Sequence, residues 1–388
     1  MKRKRIFFLF LIVILIGVSF CGGFFYGKLQ CEICPPQDID FSLFWEAYHK
    51  LKENFVDKEK IVPQKIIYGA ISGMVKSLED PYTVFLDPEE SKIFKEDVKG
   101  YFEGVGMEIG IKKGQLTVIA PLEGTPAQRA GIRAGDIILE VDGKSTIDMS
   151  LDEAVRLIRG PKGTKVKLKI MREGWEEPKE IEIIRDIIEI PSLKWEEKDG
   201  IIYLKIYQFS EKARLDFILA ANQILSVPTK KMVIDLRDNP GGYLEVAVDI
   251  AGWFLEKGKL VAIEEYGTGE RQEYKSQGPA KFSDYKIVIL INKGSASGAE
   301  ILAAALRDNL KVLLIGEKSF GKGSVQKLEN LKGGSSLKIT IAKWLTPSGK
   351  QISQVGLEPD IKVEMTEKDI EEGKDPQLEK AIEILKNL

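Results

Sequence analysis

The residue types best suited to chemistry lie in three segments, and each segment follows an apolar stretch that predicts a β-strand. The predicted strands are Met232–Leu236, Ile287–Ile291 and Val312–Ile315. The segments behind them contain a Gly-Gly turn, a serine before a helix, and a lysine between glycines, at residues 237–242, 292–300 and 316–326. Helical stretches at 243–255 and about 298–306 complete a βαβαβ pattern, which is typical of parallel strands. Ligands bind beyond the carboxyl ends of such strands, so the three segments should meet at one sheet edge.

Histidine is nearly absent from the chain, which limits the kinds of catalytic and metal site that it can form. Among 388 residues there is one, His49, so a Ser-His-Asp or Cys-His enzyme would have to use it and a multi-His metal site is excluded. His49 lies in an amphipathic helical stretch at 41–56, far in sequence from the three segments, which favours a structural role. The remaining pattern indicates a serine nucleophile with a lysine base.

A serine–lysine pair makes definite demands on its surroundings. A hydroxyl is a weak nucleophile until a neighbour takes its proton, and a lysine can take that proton only when it is neutral. The lysine pKa must therefore fall from ~10.4 toward ~7–8, which burial can achieve at a cost of about 3–5 kcal/mol. The tetrahedral oxyanion also needs about two hydrogen-bond donors. The N–H of Gly298 at a helix start and those of the Gly241-Gly242 turn are the candidates.

Residues from about 100 to 187 show short strands and glycine turns instead. A short helix is predicted over Ser150–Ile158, with Ser150 as its N-cap and Glu153 at its third position. The predicted strands are Met107–Ile111, Leu116–Ile119, Ile137–Val141 and Val166–Ile170.

The glycine-rich entry at 103–107 and the small-residue turns at 126–127, 130–132 and 135–138 resemble a PDZ domain. PDZ domains bind an extended peptide C-terminus by strand addition. The resemblance places the peptide carboxylate at the backbone N–H groups of Gly104, Val105, Gly106 and Met107. The apolar residues there favour an apolar final side chain. A dinucleotide loop is excluded, because the third glycine is Gly110, one position too late, and a strand follows.

Three longer motifs resemble those of the C-terminal processing peptidases, the tail-specific serine proteases of the S41 type. They read Asp-Leu-Arg-Asp-Asn-Pro-Gly-Gly at 235–242, Gly-Ser-Ala-Ser-Gly-Ala-Glu-Ile at 294–301 and Phe-Gly-Lys-Gly-Ser-Val-Gln at 320–326. Further matches at 346–350 and 356–360 extend the resemblance over nearly everything after residue 40.

This resemblance implies a Ser-Lys dyad in which Ser297 is the nucleophile, Lys322 the base and Gln326 the residue that orients the base. Ser297 is chosen over Ser295 because it lies three residues before Glu300. The implied fold is mixed α/β, a crotonase-like protease domain with an inserted, mostly-β PDZ domain. No cofactor or metal is implied, and the implied partners are proteins or peptides with free, apolar C-termini. The chain departs from the family pattern at residues 298–299, which read Gly-Ala where Ala-Ser is common.

Two other functions compete with a protease. Residues 316–322 read G-x-x-x-x-G-K, most of a nucleotide-binding P-loop, but Gly323 stands where that motif needs Ser or Thr to hold Mg²⁺. The second alternative is a catalytically inactive PDZ adaptor, against which the intact Ser297, Lys322 and Gln326 argue. The net charge of −2 gives no sign of nucleic-acid binding.

The N-terminal residues resemble a membrane signal. Residues 2–5 read Lys-Arg-Lys-Arg, and residues 6–27 carry no charge. As a helix this uncharged stretch would be ~33 Å long, enough to cross a ~30 Å hydrocarbon core. Since basic clusters stay in the cytoplasm, we expect a retained single-pass transmembrane helix with the catalytic domain outside the cytoplasm. Cys31 and Cys34 form a C-x-x-C behind it, for which a linker disulfide or two unreactive thiols are the favoured interpretations.

The sequence therefore predicts a modular chain, and a homo-oligomer is compatible with it. The predicted segments are a basic cluster and transmembrane anchor at 1–27, a linker at 28–40, an N-terminal helical segment at 41–98, a PDZ domain at 99–187, a serine protease domain at 188–365 and a C-terminal helix at 366–388.

Overall fold

The computed structural model describes residues 12–23, 39–112, 114–122, 124–353, 355–366, 368–369 and 372–388. The chain divides into two compact units, Met1–Gly69 and Ala70–Leu388. The first unit contains helix α1 at residues 12–23, helix α2 at Ser42–Asn54 and the start of helix α3 at Pro63–Lys76. Helix α2 lies within the stretch 41–56, where the spacing of the apolar residues predicted a helix.

The predicted transmembrane helix over residues 6–27 is wrong as an element of the fold. Of the predicted span, the structure describes residues 12–23, which are helical and form helix α1. In the part of the chain that the structure describes, no helix combines the length and apolarity needed to cross a membrane. The rest of the predicted span, and Cys31 with Cys34, lie outside the described residues.

The second unit contains the remaining helices and the strands of the described residues. The strands, in chain order, are β1 Val84–Leu86, β2 Tyr101–Gly104, β3 Met107–Lys112, β4 Gln115–Pro121, β5 Ile137–Val141, β6 Lys144–Ser145, β7 Lys165–Met171, β8 Lys179–Ile184, β9 Asp186–Glu189, β10 Leu193–Lys198, β11 Ile201–Ile206, β12 Lys231–Asp235, β13 Leu260–Tyr266, β14 Arg271–Lys275, β15 Lys286–Ile291, β16 Leu313–Gly316, β17 Ser324–Asn330, β18 Ser336–Leu345 and β19 Ile361–Lys362. The helices are α4 Pro88–Lys99, α5 Pro126–Arg129, α6 Leu151–Ile158, α7 Ala213–Ile224, α8 Leu244–Gly252, α9 Gly298–Leu310 and α10 Pro376–Asn387.

A six-stranded sheet in the order β10-β11-β12-β15-β16-β19 forms the centre of the protease region. Its strands from β11 to β19 are parallel, which confirms the predicted βαβαβ arrangement, and β10 adds an antiparallel edge. Side chains alternate across a strand, so Met232 and Ile234 enter the core on the side of α7, α8 and α9, while Val233 packs toward α10. Both faces are covered, which explains why these strands are continuous apolar runs.

A second, antiparallel sheet has the order β1-β18-β13-β14, and β17 also pairs with β18. Its hairpin β17-β18 follows the loop that carries Lys322. The predicted PDZ segment forms a third sheet in the order β3-β4-β5-β7-β8 with β6 on β5, closed by helix α6. Ser150 accepts a hydrogen bond from the N–H of Glu153 at 3.2 Å, which confirms the predicted N-cap. The prediction of a mixed α/β fold with a mostly-β inserted domain is confirmed.

Candidate active site

Ser297 occupies the turn between β15 and α9, immediately before the first residue of the helix. Its backbone has φ 52° and ψ −115°, a conformation that L-residues rarely adopt and that is held here by the elements on either side. Ser295 lies two residues earlier but is fully buried, and its Oγ donates to the carbonyl of Leu236 at 2.8 Å. Ser297 is half-buried, so it is the serine of this turn that solvent and a substrate can reach.

The Gly-Gly turn after β12 lies against Ser297. A Cβ on Gly241, which has φ +95°, would come within 2.6 Å of Ser297 Cβ and 2.8 Å of the Gly298 nitrogen. Only glycine allows this close approach. The N–H of Gly241 donates to the side-chain oxygen of Asn239 at 2.8 Å. Among the described residues the N–H groups of Gly242 and Gly298 have no acceptor, so they are the two donors free to face an oxyanion.

Lys322 lies in the loop between β16 and β17. Burial lowers the pKa of its ammonium below the usual lysine value, and the nearby Glu300 carboxylate opposes this shift. The Nζ atom lies 5.9 Å from the centre of the Tyr82 ring. A Cβ on the following residue, Gly323, would collide with the backbone of Ser353, so the glycine lets the chain pack closely beside the lysine. The structure thus provides the partly desolvated lysine that a neutral base requires.

Glu300 joins the serine turn to the lysine loop. Its carboxylate is fully buried and accepts from the N–H of Ser297 at 2.9 Å, of Gly321 at 2.8 Å and of Lys322 at 3.0 Å, and from the Ser319 hydroxyl at 2.5 Å. Burial raises the pKa of this carboxyl, and the four hydrogen bonds oppose that rise. Among the described residues no hydrogen bond joins Ser297 Oγ to Lys322 Nζ. The two loops are linked through Glu300 and through the N–H of Phe320, which donates to the carbonyl of Ser295 at 3.0 Å.

From the sequence, Glu300 served only to distinguish Ser297 from Ser295, and no role was predicted for it. A signal was present, because an acidic residue three positions after a helix-capping serine is the partner expected in a capping box. The hydrogen bonds that Glu300 accepts from Gly321 and Lys322 could not be predicted from a sequence motif, since those residues lie more than twenty positions away.

Gln326, the third predicted catalytic residue, lies on β17 opposite Thr340 of β18. Its side-chain amide donates to Ser324 Oγ at 2.6 Å. It is therefore on the same hairpin as the lysine loop, and its described hydrogen bond goes to a serine two residues away. Its role as the residue that orients Lys322 remains a prediction.

The predicted carboxylate-binding loop lies between β2 and β3. Gly104 ends β2, Met107 begins β3, and Gly106 has φ +76°. Within the described residues the N–H groups of Val105 and Gly106 have no acceptor. Val105 is buried in the core of this sheet, with Met107 packed against it. The loop thus offers backbone donors beside apolar side chains, the arrangement expected for the end of an apolar peptide.

Two arginines of the PDZ region contact helix α4. Arg156 donates to the Glu90 carboxylate at 2.5 Å, and Arg159 donates to that of Asp97 at 2.9 Å. The Arg159 guanidinium also lies 4.3 Å from the centre of the Phe102 ring. Arg159 therefore has specific partners and is not simply a solvated cation at a helix end.

The structure also places the residues of the two alternative chemistries, a nucleotide-binding P-loop and a histidine-dependent enzyme. The lysine loop at 317–323 leads into strand β17, whereas a P-loop leads into a helix, so the nucleotide-binding interpretation fails. His49 is exposed on α2, and its Nδ1 pairs with the carbonyl of Trp45 at 2.7 Å, one turn earlier on the same helix.

Comparison with known families agrees with this geometry. The model of peptidase family S41 matches residues 200–363, a PDZ domain model matches 117–172, and the model of the activating protease CtpB N-terminal domain matches 36–90. The carboxy-terminal processing protease CtpA of Bacillus subtilis is 37% identical over 94% of this chain and 78% of its own length. The carboxy-terminal-processing protease of Bartonella bacilliformis is 41% identical over 83% of this chain and 74% of its own length.

Solved structures show the same fold. The photosystem II D1 C-terminal processing protease aligns with a TM-score of 0.53 at 27% identity, over 83% of this chain and 92% of that one. A Bacteroides fragilis protein described as an S41 protease aligns with a TM-score of 0.58 over 92% of this chain and 99% of that one, and its 15% identity is evidence for the fold alone. The chain belongs to peptidase family S41 and is a carboxy-terminal processing serine protease with a PDZ domain.

Proposed function

We propose that this protease cleaves peptide bonds with a Ser297–Lys322 dyad. The observation that carries the proposal is the half-buried lysine, whose lowered pKa favours the neutral form, on a loop tied by Glu300 to the serine turn. Lys322 Nζ takes the hydroxyl proton as Ser297 Oγ attacks the scissile carbonyl. The N–H groups of Gly242 and Gly298 bind the resulting oxyanion. Because Gly241 has no side chain, it leaves room for this site beside Ser297.

The tetrahedral intermediate collapses when the C–N bond breaks, and the Lys322 ammonium returns the proton to the leaving amine. The acyl-enzyme is then attacked by water, with neutral Lys322 again accepting the proton and Ser297 leaving as the alcohol. We assign to Gln326 the role of orienting the lysine from β17, and its position on the hairpin that follows the lysine loop supports this.

We further propose that the PDZ domain selects substrates by their C-terminus. The free N–H groups of Val105 and Gly106 would bind the terminal carboxylate, with the final side chain against the apolar residues of β3. The peptide would extend as an added strand, the usual mode of such domains. The substrates are accordingly proteins or peptides that end in a free apolar residue.

We place the site of action outside the cytoplasm. Four cations at residues 2–5 precede an uncharged stretch, the charge pattern of chains whose later residues are exported. Protease added to intact spheroplasts should digest the catalytic domain. Protection in intact spheroplasts combined with digestion after lysis would contradict this placement.

The dyad is tested by the single variants Ser297→Ala, Lys322→Met and Lys322→Arg, with His49→Ala as the control. Hydrolysis of fluorescein-labelled casein should be lost in the first three, because dyad members act as a unit and a guanidinium stays protonated. His49→Ala should retain activity. Circular dichroism and thermal unfolding check that each variant is folded.

Normal turnover by folded Ser297→Ala would exclude this serine as nucleophile. Loss of activity in His49→Ala alone would exclude the dyad. A wild-type protein that binds peptides with free C-termini but hydrolyses none would instead be the inactive adaptor.

A further inference from the structure

A buried pair of opposite charges lies at the carboxyl end of β12, and the proposed mechanism does not use it. Asp235, the last residue of β12, is fully buried, and Arg237 is buried two residues later. The Arg237 guanidinium donates to the Asp235 carboxylate from Nε at 3.0 Å and from Nη2 at 2.7 Å. The Tyr203 hydroxyl on β11 donates to the same carboxylate at 2.6 Å. Replacing a buried ion pair with apolar side chains is often neutral or stabilising, so stability alone does not account for these charges.

The other edge of the Arg237 guanidinium is held by a residue 138 positions later in the chain. Asp375 lies immediately before helix α10 and accepts from Nη1 and from Nη2, each at 2.8 Å. This arrangement of two parallel hydrogen bonds fixes the plane of the guanidinium as well as its position. The Gln377 side-chain oxygen accepts a further hydrogen bond from Nη1 at 3.1 Å. Burial raises the pKa of the Asp375 carboxyl, but the hydrogen bonds from Arg237 and from the N–H of Leu378 outweigh this effect, and the pKa lies below its usual value.

Helix α10 is anchored independently of these charges. Leu385 of the helix is fully buried in one apolar cluster with Val233 of β12. Gln377 is also fully buried, and its side-chain amide donates to the carbonyl of Val363 at 2.8 Å. The start of α10 is therefore a fixed point from which Arg237 can be held in place.

The chain from Arg237 to the Gly-Gly turn is short and is hydrogen-bonded to the serine turn. Asn239 is fully buried, and its side-chain oxygen accepts from the N–H of Gly241 at 2.8 Å. The backbone carbonyl of Asn239 accepts from the N–H of Ala296, the residue before Ser297, at 2.9 Å. A shift of Arg237 would therefore displace the oxyanion donor of the Gly-Gly turn relative to the nucleophile.

We propose that Asp375 is a positioning residue of the active site: from the start of α10 it fixes Arg237, and through Arg237 it fixes the Gly-Gly turn that supplies an oxyanion donor. The inference rests on the oxyanion role proposed for that turn. Asp375 lies beyond residues 200–363, so the match to the family model does not extend to it. In this role Asp375 contacts neither the substrate nor the reacting atoms.

The test substitutes Asp375→Asn, which removes the charge of the carboxylate. Asparagine is as good a helix N-cap as aspartate, so the start of α10 is kept while one acceptor oxygen facing Arg237 becomes a donor. Hydrolysis of fluorescein-labelled casein is measured well below the unfolding temperature of each variant. We expect kcat to fall about tenfold and KM to stay within about twofold of wild type, because a displaced donor weakens binding of the transition state and not of the substrate.

The matched control is Asp136→Asn in the PDZ region. Asp136 is fully buried and accepts from the Arg172 guanidinium, from Nε at 2.6 Å and from Nη2 at 2.7 Å, and from the N–H of Arg133 at 2.9 Å. It therefore has the same kinds of donor as Asp375, but none of these partners belongs to the serine turn, the lysine loop or the Gly-Gly turn. Asp136→Asn should lower the unfolding temperature and keep the wild-type kcat.

A double-mutant comparison shows whether Asp375 acts through the turn. The rate at which a fluorescent fluorophosphonate labels Ser297 is measured for Asp375→Asn, for Gly241→Ala and for the double variant. If Asp375 acts through the turn, Asp375→Asn should slow labelling about tenfold in the wild-type background and less than about twofold when Gly241→Ala has already disturbed the turn. Losses that multiply fully in the double variant would show that Asp375 acts elsewhere, and would overturn the inference.

The remaining outcomes separate failure of the inference from failure of the proposed oxyanion site. Wild-type kcat in folded Asp375→Asn, or an equal loss of kcat in Asp136→Asn, overturns the inference while the dyad and the oxyanion site stand. Wild-type turnover by Gly241→Ala refutes the oxyanion role of the turn, and the inference fails with it. Should Asp375→Asn not fold, Asp375→Ser takes its place, since serine also caps a helix and carries no charge.

Discussion

How firmly the serine turn and the lysine loop are joined is tested by the substitution Glu300→Gln. The buried carboxylate accepts four hydrogen bonds, whereas glutamine keeps the shape but has one acceptor oxygen. With that oxygen toward Ser319 and Gly321, the amide NH₂ faces the N–H groups of Ser297 and Lys322. Donors then meet donors on the side where Ser297 and Lys322 are held.

The expected loss of stability follows from those contacts. Two hydrogen bonds to a charged acceptor are removed, at ~1.5–3 kcal/mol each, so the free energy of unfolding should fall by about 3–6 kcal/mol. The matched control is Glu264→Gln. Glu264 is a similarly buried glutamate of β13 that accepts from the Tyr274 hydroxyl at 2.7 Å and, among the described residues, has no hydrogen bond to the serine turn or the lysine loop. Its loss should be about 1–3 kcal/mol. Urea denaturation measures both.

Activity distinguishes a positioning role from a simple counter-ion role. Glu300 raises the Lys322 pKa, so loss of its charge alone would lower that pKa and shift the acidic limb of activity to lower pH. Displacement of the two loops would instead reduce kcat at every pH. We expect at least a tenfold loss of kcat across the profile for folded Glu300→Gln, and wild-type kcat for Glu264→Gln. Full activity of Glu300→Gln, or the same loss in the control, would refute this account of how the loops are held.

Two further predictions concern the oxyanion site and the peptide terminus. Gly241→Ala places a methyl group against Ser297 and the Gly298 nitrogen, so casein hydrolysis should fall by two orders of magnitude or more, and wild-type turnover would show that the turn is not part of the site. Amidation of a peptide that ends in a free apolar residue removes the charge and one oxygen, so its cleavage should drop sharply, and equal cleavage of the acid and the amide would show that the PDZ loop does not select by the carboxylate.

The central strands and the order of the motifs could be predicted from the sequence because their signals are local. The parallel strands β12, β15 and β16 are short apolar runs between glycine-rich turns. Short continuous apolar runs of this kind are typical of strands that are buried on both faces of a sheet. The other strands have weaker sequence signals. Strand β18 alternates polar and apolar residues over 336–341 and pairs with the neighbouring β17 but also with β1 and β13, which lie far away in the chain, so its pairing depends on tertiary packing.

The N-terminal segment shows where a compositional signal misleads. An uncharged stretch behind four cations predicted a membrane-spanning helix, and the described helix at residues 12–23 does not meet the length that a span requires. Composition reports the transfer energy of the side chains. It does not by itself establish a helix that crosses a membrane.

The sequence by itself determined which residues could act: one histidine, a serine before a helix, a lysine between glycines and a Gly-Gly turn. Only the tertiary structure decided that Gly241 leaves room beside Ser297, whereas the N–H groups of Gly242 and Gly298 have no acceptor among the described residues. The direction of an N–H depends on backbone angles, which residue types do not specify. The tertiary structure also brought the Glu300 carboxylate to the backbone N–H groups of Ser297, Gly321 and Lys322. Charge interactions act over a few ångströms whatever the separation along the chain, so the pKa of Lys322 is a property of the fold.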